Sequence, residues 1–230
     1  MLKSRIIPCL LIRDKGLVKT KNFKPFKYIG DPINAIRIFN EKEADELIVL
    51  DIDATTKGLE PDFLTIKKMA AECRMPLCYG GGVKTVDHAE YIISLGVEKV
   101  AISSSFIANP ELVKDISSKI GGQSVVVILD VKRNFFGKYE VFTHNGKIKN
   151  NKSPIELAKL AVKFGAGEVV INSIDLDGAM SGYDLVLAKN LRDAVNVPIS
   201  VMGGAANLND MKNLFKTCGV VGAIAGSLFV

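Results

Sequence analysis

The sequence predicts an α/β protein folded as a (β/α)8 (TIM) barrel, and three observations predict it. Eight short β-branched runs alternate with longer amphipathic segments, the first half of the chain repeats in the second, and glycine pairs or small residues follow the strands at matching places. At 230 residues and 48% hydrophobic, the chain suits one domain over residues 1–230 with a large core. The repeat divides it into half-barrels of about 1–122 and 123–230.

The first strand is read over 5–11, an apolar run without alternation, as expected for a strand covered on both faces. Asp31 then caps a helix that has Pro32 at its first position. Strands at 46–51, 76–79 and 98–103 follow, with a helix stop at Gly96. Asn109 and Pro110 open a helix that ends at Gly121, and a fifth strand is read over 124–130. Residues 134–150 break the rhythm: Lys138 to Phe142 alternate and Asn145-Gly146 turns, which reads as a β-hairpin inserted on the catalytic face. Ser153, Pro154 and Glu156 make a capping box, and Gly165 ends that helix. Strands at 168–173, 198–202 and 221–226 complete the eight, with Gly219 the last helix stop. The sequence stops soon after, at Val230. A full barrel of about 250 residues has one more helix, so the eighth helix is expected to be missing, with a segment outside this chain or a partner covering strand eight.

Composition excludes several functions. The longest stretch without charge, Thr217 to Val230, is too short and glycine-rich to span a bilayer, and the N-terminus lacks a signal-peptide pattern. Cys9, Cys73, Cys78 and Cys218 form no CxxC pair, and His88 and His144 are the only histidines. No disulfide framework or metal site is predicted, and a reducing cytoplasm is the expected location. The net charge of +5 is spread along the chain without a basic block interleaved with aromatics, which favours small anionic molecules over nucleic acid.

A shift of 122 positions aligns Ala44 to Val49 with Ala166 to Ile171, Ile52-Asp53 with Ile174-Asp175, and Pro76 to Gly82 with Pro198 to Gly204. Repeated halves predict repeated sites. A Gly-Gly pair follows the third strand of each half, and a small-residue end follows the next, Ile102 to Ser105 in one and Ile224 to Ser227 in the other. Glycines let backbone N–H groups approach an anion, and hydroxyls or a helix N-terminus complete the cradle. A ligand with phosphates at both ends is the economical inference; glycines serving only as turns are the plainer one.

The motifs Arg5-Ile6-Ile7-Pro8-Cys9-Leu10, Lys19-Thr20-Lys21-Asn22-Phe23, Gly30-Asp31-Pro32, Gly80-Gly81-Gly82, Ile128 to Arg133 and Ser173 to Gly178 closely resemble the HisF family, the cyclase subunits of imidazole glycerol phosphate synthase, and the resemblance runs from Met1 to the last residue. It implies a barrel that takes ammonia from a HisH-like glutaminase docked on its N-terminal face. The ammonia meets a bisphosphorylated nucleotide-like substrate, giving imidazole glycerol phosphate and an aminoimidazole carboxamide ribotide for histidine biosynthesis. No metal or organic cofactor is implied. Carried over by position, Asp130 is the general acid, Lys19 and Asn22 lie on a mobile loop after strand one, Gly82 and Ser104 bind one phosphate, and Gly204, Gly226 and Ser227 bind the other. Asp51 and Asp177 lie near the substrate's polar middle, although a strand-end carboxylate such as Asp51 can simply bind nearby backbone.

Arg5, Glu46, Lys99 and Glu168 each stand at the entry of an inner strand, so two cations and two anions are expected to ring the N-terminal mouth. The family's ammonia gate has this composition; a salt-bridge layer kept for stability is the alternative.

One departure weighs against the plain reading. The family's second catalytic carboxylate belongs at the position of Leu11, and the repeat sets Leu11 against Asp130. Leucine transfers no proton. Asp14 is expected to lie too far along the loop to replace it, Asp53 adds a carboxylate at the mouth of strand two, and Asn145, Asn172 and Cys78 stand where the family has hydroxyl side chains. Three functions therefore stay open: the histidine-pathway cyclase, a HisF-like paralogue passing ammonia to a surface-sugar amidotransferase that makes an acetamidino group, and a non-catalytic scaffold that activates the glutaminase. The sister isomerase HisA shares the half-barrel origin but has no use for the charged ring.

Overall fold

The computed structural model describes residues 3–229. Eight parallel strands close a barrel: β1 (Arg5–Arg13), β4 (Leu47–Asp51), β5 (Leu77–Gly80), β6 (Lys99–Ile102), β7 (Val125–Arg133), β10 (Glu168–Ser173), β11 (Ile199–Met202) and β12 (Gly222–Ala225). Each pairs with the next, and β12 returns to β1 through Arg5 opposite Gly222 and Ile7 opposite Ile224. The connecting helices are α1 (Pro32–Glu41), α2 (Phe63–Glu72), α3 (Val86–Ser94), the pair α4 (Ser104–Ala108) and α5 (Glu111–Ile120), α6 (Pro154–Lys163), α7 (Leu185–Ala194) and α8 (Leu208–Cys218). The expected barrel is the observed one, with a helix in each of its seven connections.

The helix signals act as read. Asp31 accepts from the Ile33 N–H with Pro32 at the first position, and Ser153 and Glu156 close a reciprocal capping box. Asn109 Oδ1 accepts from the Glu111 N–H.

Strand periodicity divides the barrel into two apolar layers. Outward residues such as Leu10, Val49, Val127 and Ile171 meet the helices. Inward residues Ile7, Cys9, Ile48, Cys78, Ala101, Val126, Ile128, Val170, Met202 and Ile224 fill the interior, with Leu11 and Leu50 against their upper side.

The hairpin read within 134–150 is present as β8 (Tyr139–Thr143) and β9 (Ile148–Lys149), antiparallel to the end of β7. The segment read as a loop after the first strand is also a hairpin, β2 (Gly16–Lys21) and β3 (Lys24–Gly30), antiparallel to an extended β1 through Leu11 opposite Val18. Among the described residues no helix follows β12. Instead 226–229 turn back, the Phe229 N–H donates to Gly226 O at 2.8 Å, and the Phe229 ring stands edge-on to Phe39 of α1. Met1, where the resemblance begins, and Val230, beyond which the missing helix was expected, lie outside the described residues.

Candidate functional site

The chemistry collects where the inward rows of the strands reach their C-terminal ends. On neighbouring β7 and β10, Asp130 stands opposite Asn172, whose Nδ2 donates to Asp130 Oδ1 at 2.9 Å. Burial raises the Asp130 carboxyl to about 6, the Asn172 N–H opposes that rise, and the nearby Asp177 charge adds to it. Such a group holds a proton within reach of neutral pH and can pass it on. Across the barrel, the corresponding sheet partners are Leu11 and Leu50, neither of them ionisable, and Asp51 follows Leu50 at the end of the same strand.

A cavity of about 140 Å³ opens above these residues, lined by Asp51, Gly82, Ser104, Asp130, Asn172 and Asp177 among others. A second, of about 40 Å³, is lined by Lys19, Asp177, Gly204, Gly226 and Ser227. They share Leu11, Thr20, Asp177 and Met202 as a common wall, so two glycine-walled ends meet across a middle of two polar and two apolar side chains. The glycines are needed there. Gly82 and Gly204 have φ of 72° and 106°, and a Cβ at Gly204 would collide with the Gly182 carbonyl.

Asp51 uses Oδ1 to accept from the Asp53 and Ala54 N–H groups, both at 3.0 Å, so it fixes its own strand end while lining the larger cavity. Burial raises its carboxyl, against those two N–H groups. Asp177 is likewise raised by burial while accepting from Thr20 Oγ1 at 3.0 Å.

The two hairpins lie over the site in matching ways. Asn22, at a φ of 51°, donates through Nδ2 to the Ile174 carbonyl at 3.2 Å and the Asp175 carbonyl at 2.5 Å. Asn145, at a φ of 57°, donates to the Ile52 carbonyl at 2.7 Å. Ile52 and Ile174 are repeat-related, so each hairpin tip is clasped to the equivalent strand end of the other half. Asn22 thus lines neither cavity; it holds the hairpin that carries Lys19 and Thr20 into them.

At the opposite mouth the four charges close a ring. Arg5 meets Glu46 at 2.5 Å and Glu168 at 2.6 Å, and Lys99 meets Glu46 at 2.7 Å and Glu168 at 2.9 Å. Burial alone would raise the Glu168 carboxyl, but the Arg5 hydrogen bond, the Lys99 and Arg5 charges and the Ser200 hydroxyl together hold it at about 2. Ser200, fully buried, donates to Glu168 Oε1 at 2.5 Å, and a Cβ at Gly222 would occupy the place of its hydroxyl. Sequence reasoning missed Ser200; its repeat mate Cys78 offered the available signal, because a polar residue replaces a thiol beside one anion only.

Other departures resolve differently. Asp14 is exposed, pairs with Lys57 at 2.8 Å and lines neither cavity. Asp53 does not add free charge to the mouth: it is buried, and its carboxylate faces Arg13 at 2.9 Å and Lys57 at 2.8 Å. Cys78 belongs to the apolar interior below the cavity, where burial raises its thiol. Among the described residues no three His, Cys, Asp or Glu side chains gather as a metal site, and no helix is long and apolar enough to cross a membrane.

A (β/α)8 barrel with two joined, glycine-walled cavities on one face and a closed charge ring on the other defines the class of protein. A family model described as histidine biosynthesis protein matches residues 5–230, and the chain belongs to that family. It is 54% identical over 231 residues to a protein of Vibrio vulnificus, spanning 100% of this chain and 89% of that one. A Leptospira interrogans protein is also 54% identical over 231 residues, spanning 100% and 91%. Both are named, provisionally, as imidazole glycerol phosphate synthase HisF subunits. The imidazole glycerol phosphate synthase subunit HisF of Alkaliphilus metalliredigens is 39% identical over 229 residues, spanning 100% and 91%.

Proposed function

We propose that this chain is a HisF-type subunit of imidazole glycerol phosphate synthase, acting in histidine biosynthesis in the cytoplasm as one domain of two fused half-barrels. A bisphosphorylated ligand lies across the two joined cavities, one phosphate at Gly82 and Ser104 and the other at Gly204, Gly226 and Ser227. Lys19 faces its charge, Asp51 and Asp177 flank its middle, and Asp130 is the general acid. A HisH-like glutaminase docks on the N-terminal face, and ammonia enters through the ring of Arg5, Glu46, Lys99 and Glu168 into the apolar interior. The observation that carries this reading is a pair of glycine-walled cavities that share Leu11, Thr20, Asp177 and Met202, the larger of them lined by Asp130, a carboxyl pushed to about 6. Turnover of the bisphosphorylated substrate with added ammonium tests it; no turnover at saturating ammonium would reject cyclase activity.

The Leu11 and Leu50 pair favours a second reading, because ring closure needs a base opposite the acid and neither leucine supplies one. On that reading the chain keeps the ring and the glutaminase partner and passes ammonia to another acceptor, such as a surface-sugar amidotransferase, or only activates the glutaminase. Glutamine hydrolysis by the paired glutaminase without cyclase turnover would select it.

A further inference from the structure

The fold gathers the chain's cations at one end. Residues 16–30 and 132–152, the hairpin segments on the catalytic end of the barrel, carry ten Lys or Arg, nine of them Lys, and a single acid, Glu140. The rest of the chain then holds 20 cations against 24 anions. The charge that the sequence spreads along the chain is a basic end on an acidic body. The two hairpins meet there, for a Cβ at Gly146 would come within 3.5 Å of Phe23. Lys132, Arg133, Lys138, Lys147, Lys149 and Lys152 are all exposed. Among the described residues only two of these six meet a carboxylate, Lys149 at Glu140 (2.7 Å) and Arg133 at Asp184 (3.7 Å).

At the turn between β7 and β8 this basic end carries bare aromatic surface. Phe135 and Phe136 are 98% and 90% exposed, and their rings stand edge to face, 5.7 Å apart at 84°. The turn is built to hold them out. Asn134 Oδ1 accepts from the Phe136 and Lys138 N–H groups, both at 3.0 Å, its Nδ2 donates to Glu140 at 2.8 Å, and Gly137 takes a φ of 78°. β7 and β8 stay paired from Asp130 opposite Phe142 to Arg133 opposite Tyr139, which carries the turn about 10 Å along the strand past Asp130. Two phenyl rings in water add nothing to the fold, and their burial elsewhere is favourable.

We propose that this tip docks the protein on an anionic bilayer surface, with Phe135 and Phe136 entering the boundary between headgroups and acyl chains and the surrounding lysines meeting lipid phosphates. The composition favours this partner over other anions. Lysine is depleted at protein interfaces, which are enriched in Arg, Tyr and Trp. Single-stranded nucleic acid stacks successive bases on ring faces, and two rings at 84° offer no such platform. Lysine stems instead reach back to phosphates while the rings lie in the apolar boundary, at a depth of roughly 5–10 Å that a tip of this length can enter. Docking turns the end of the barrel that holds both cavities toward the bilayer, and it requires neither the cyclase nor the ammonia-passing chemistry.

The test is co-sedimentation of the whole chain with vesicles of phosphatidylcholine alone or of phosphatidylcholine and phosphatidylglycerol in equal parts. The wild type is expected to bind the anionic vesicles and not the neutral ones, about tenfold more weakly or worse once salt is raised to about 0.5 M. The chain has no Trp, so Phe135→Trp is a lone reporter whose emission shifts to the blue on anionic vesicles as the indole leaves water. Phe135→Ser with Phe136→Ser is expected to weaken binding about tenfold or more, and Lys132→Glu with Lys138→Glu as much. Melting temperatures stay unchanged in both pairs, because all four side chains are exposed. No binding of the wild type to anionic vesicles, binding with unshifted emission, or binding that either pair leaves intact overturns the proposal. A polyglutamate peptide, standing for an acidic protein face, or a single-stranded oligouridylate that shifts the emission where anionic vesicles do not would reassign the tip and equally overturn it.

Discussion

The two halves of this barrel agree in their hairpins, glycine pairs and ring anions and differ in the pair that faces the larger cavity and in the ring cations. Each half sends out a hairpin after its first strand, clasps its tip through an asparagine to an isoleucine carbonyl of the other half, and ends its third strand in paired glycines. Each supplies one anion to the lower ring, Glu46 or Glu168. The acid–amide pair Asp130 and Asn172 belongs to the second half alone, with Leu11 and Leu50 at the matching places. Both ring cations, Arg5 and Lys99, come from the first half. A symmetric cradle suits a ligand whose ends are alike, whereas proton transfer acts on a middle whose two sides differ.

The largest break in this comparison is Asp130→Asn. It removes the ionisable group opposite Asn172, and ammonium-dependent turnover is expected to fall by about 10²–10⁴-fold in a steady-state assay. Stability moves the other way. A carboxyl whose folded value, about 6, lies above its ordinary value favours the fold below that ordinary value, and this contribution is lost as pH rises through about 6. Asp130→Asn is therefore expected to raise the melting temperature at pH 7.5 and to have less effect at pH 4, measured by thermal melts at both.

Leu11→Asp restores the first half's missing carboxylate. Turnover is expected to rise by about 10²-fold if the base is what the reaction lacks. Unchanged turnover in the same assay would place the divergence in other contacts, the Asn172 position among them.

The eight strands were legible because strands covered on both faces carry unbroken β-branched runs, and the ring because all four charges stand at strand starts. The hairpin after strand one was not. The resemblance implied a mobile loop there, although the hairpin read after strand five predicts a counterpart through the repeat. Asp53 misled for a different reason: its position at a strand end is visible in sequence, but its pairing with Arg13 and Lys57 depends on how β1 extends into the hairpin. Ser200 is a lone hydroxyl in an apolar strand, and its meaning needs the register that sets it beside Gly222.

A smaller break is made at the ring, whose two anions differ in support: Glu168 has the Ser200 hydroxyl, and the repeat-related place near Glu46 is Cys78. Ser200→Ala is expected to cost about 1–3 kcal/mol in urea denaturation at pH 7. A carboxyl held at about 2 stabilises the fold above its ordinary value and loses that contribution as pH falls toward 2. Ser200→Ala lets Glu168 rise, so its acid-unfolding midpoint shifts to higher pH. Lys99→Ala opens the ring itself and is expected to lower, several-fold, the cyclase product formed per glutamine hydrolysed by the paired glutaminase. Unchanged coupling would return the four charges to a structural role.

The smallest expected effect decides whether Asp14 stands in for a carboxylate at the Leu11 position. Asp14 is three residues beyond Leu11, in a left-handed turn at a φ of 48°, with its carboxylate held by Lys57 and outside both cavities. The Lys57 hydrogen bond and charge also lower its carboxyl, which makes it a poorer base as well as a distant one. Asp14→Asn is therefore expected to change ammonium-dependent turnover by less than about twofold, both in the wild type and in Leu11→Asp, because general-base catalysis needs a group within hydrogen-bond reach of the proton it takes. A loss of about tenfold or more in the wild-type background alone would make Asp14 the surrogate base, and the asymmetry between the halves would then lie in the position of the carboxylate and not in its absence.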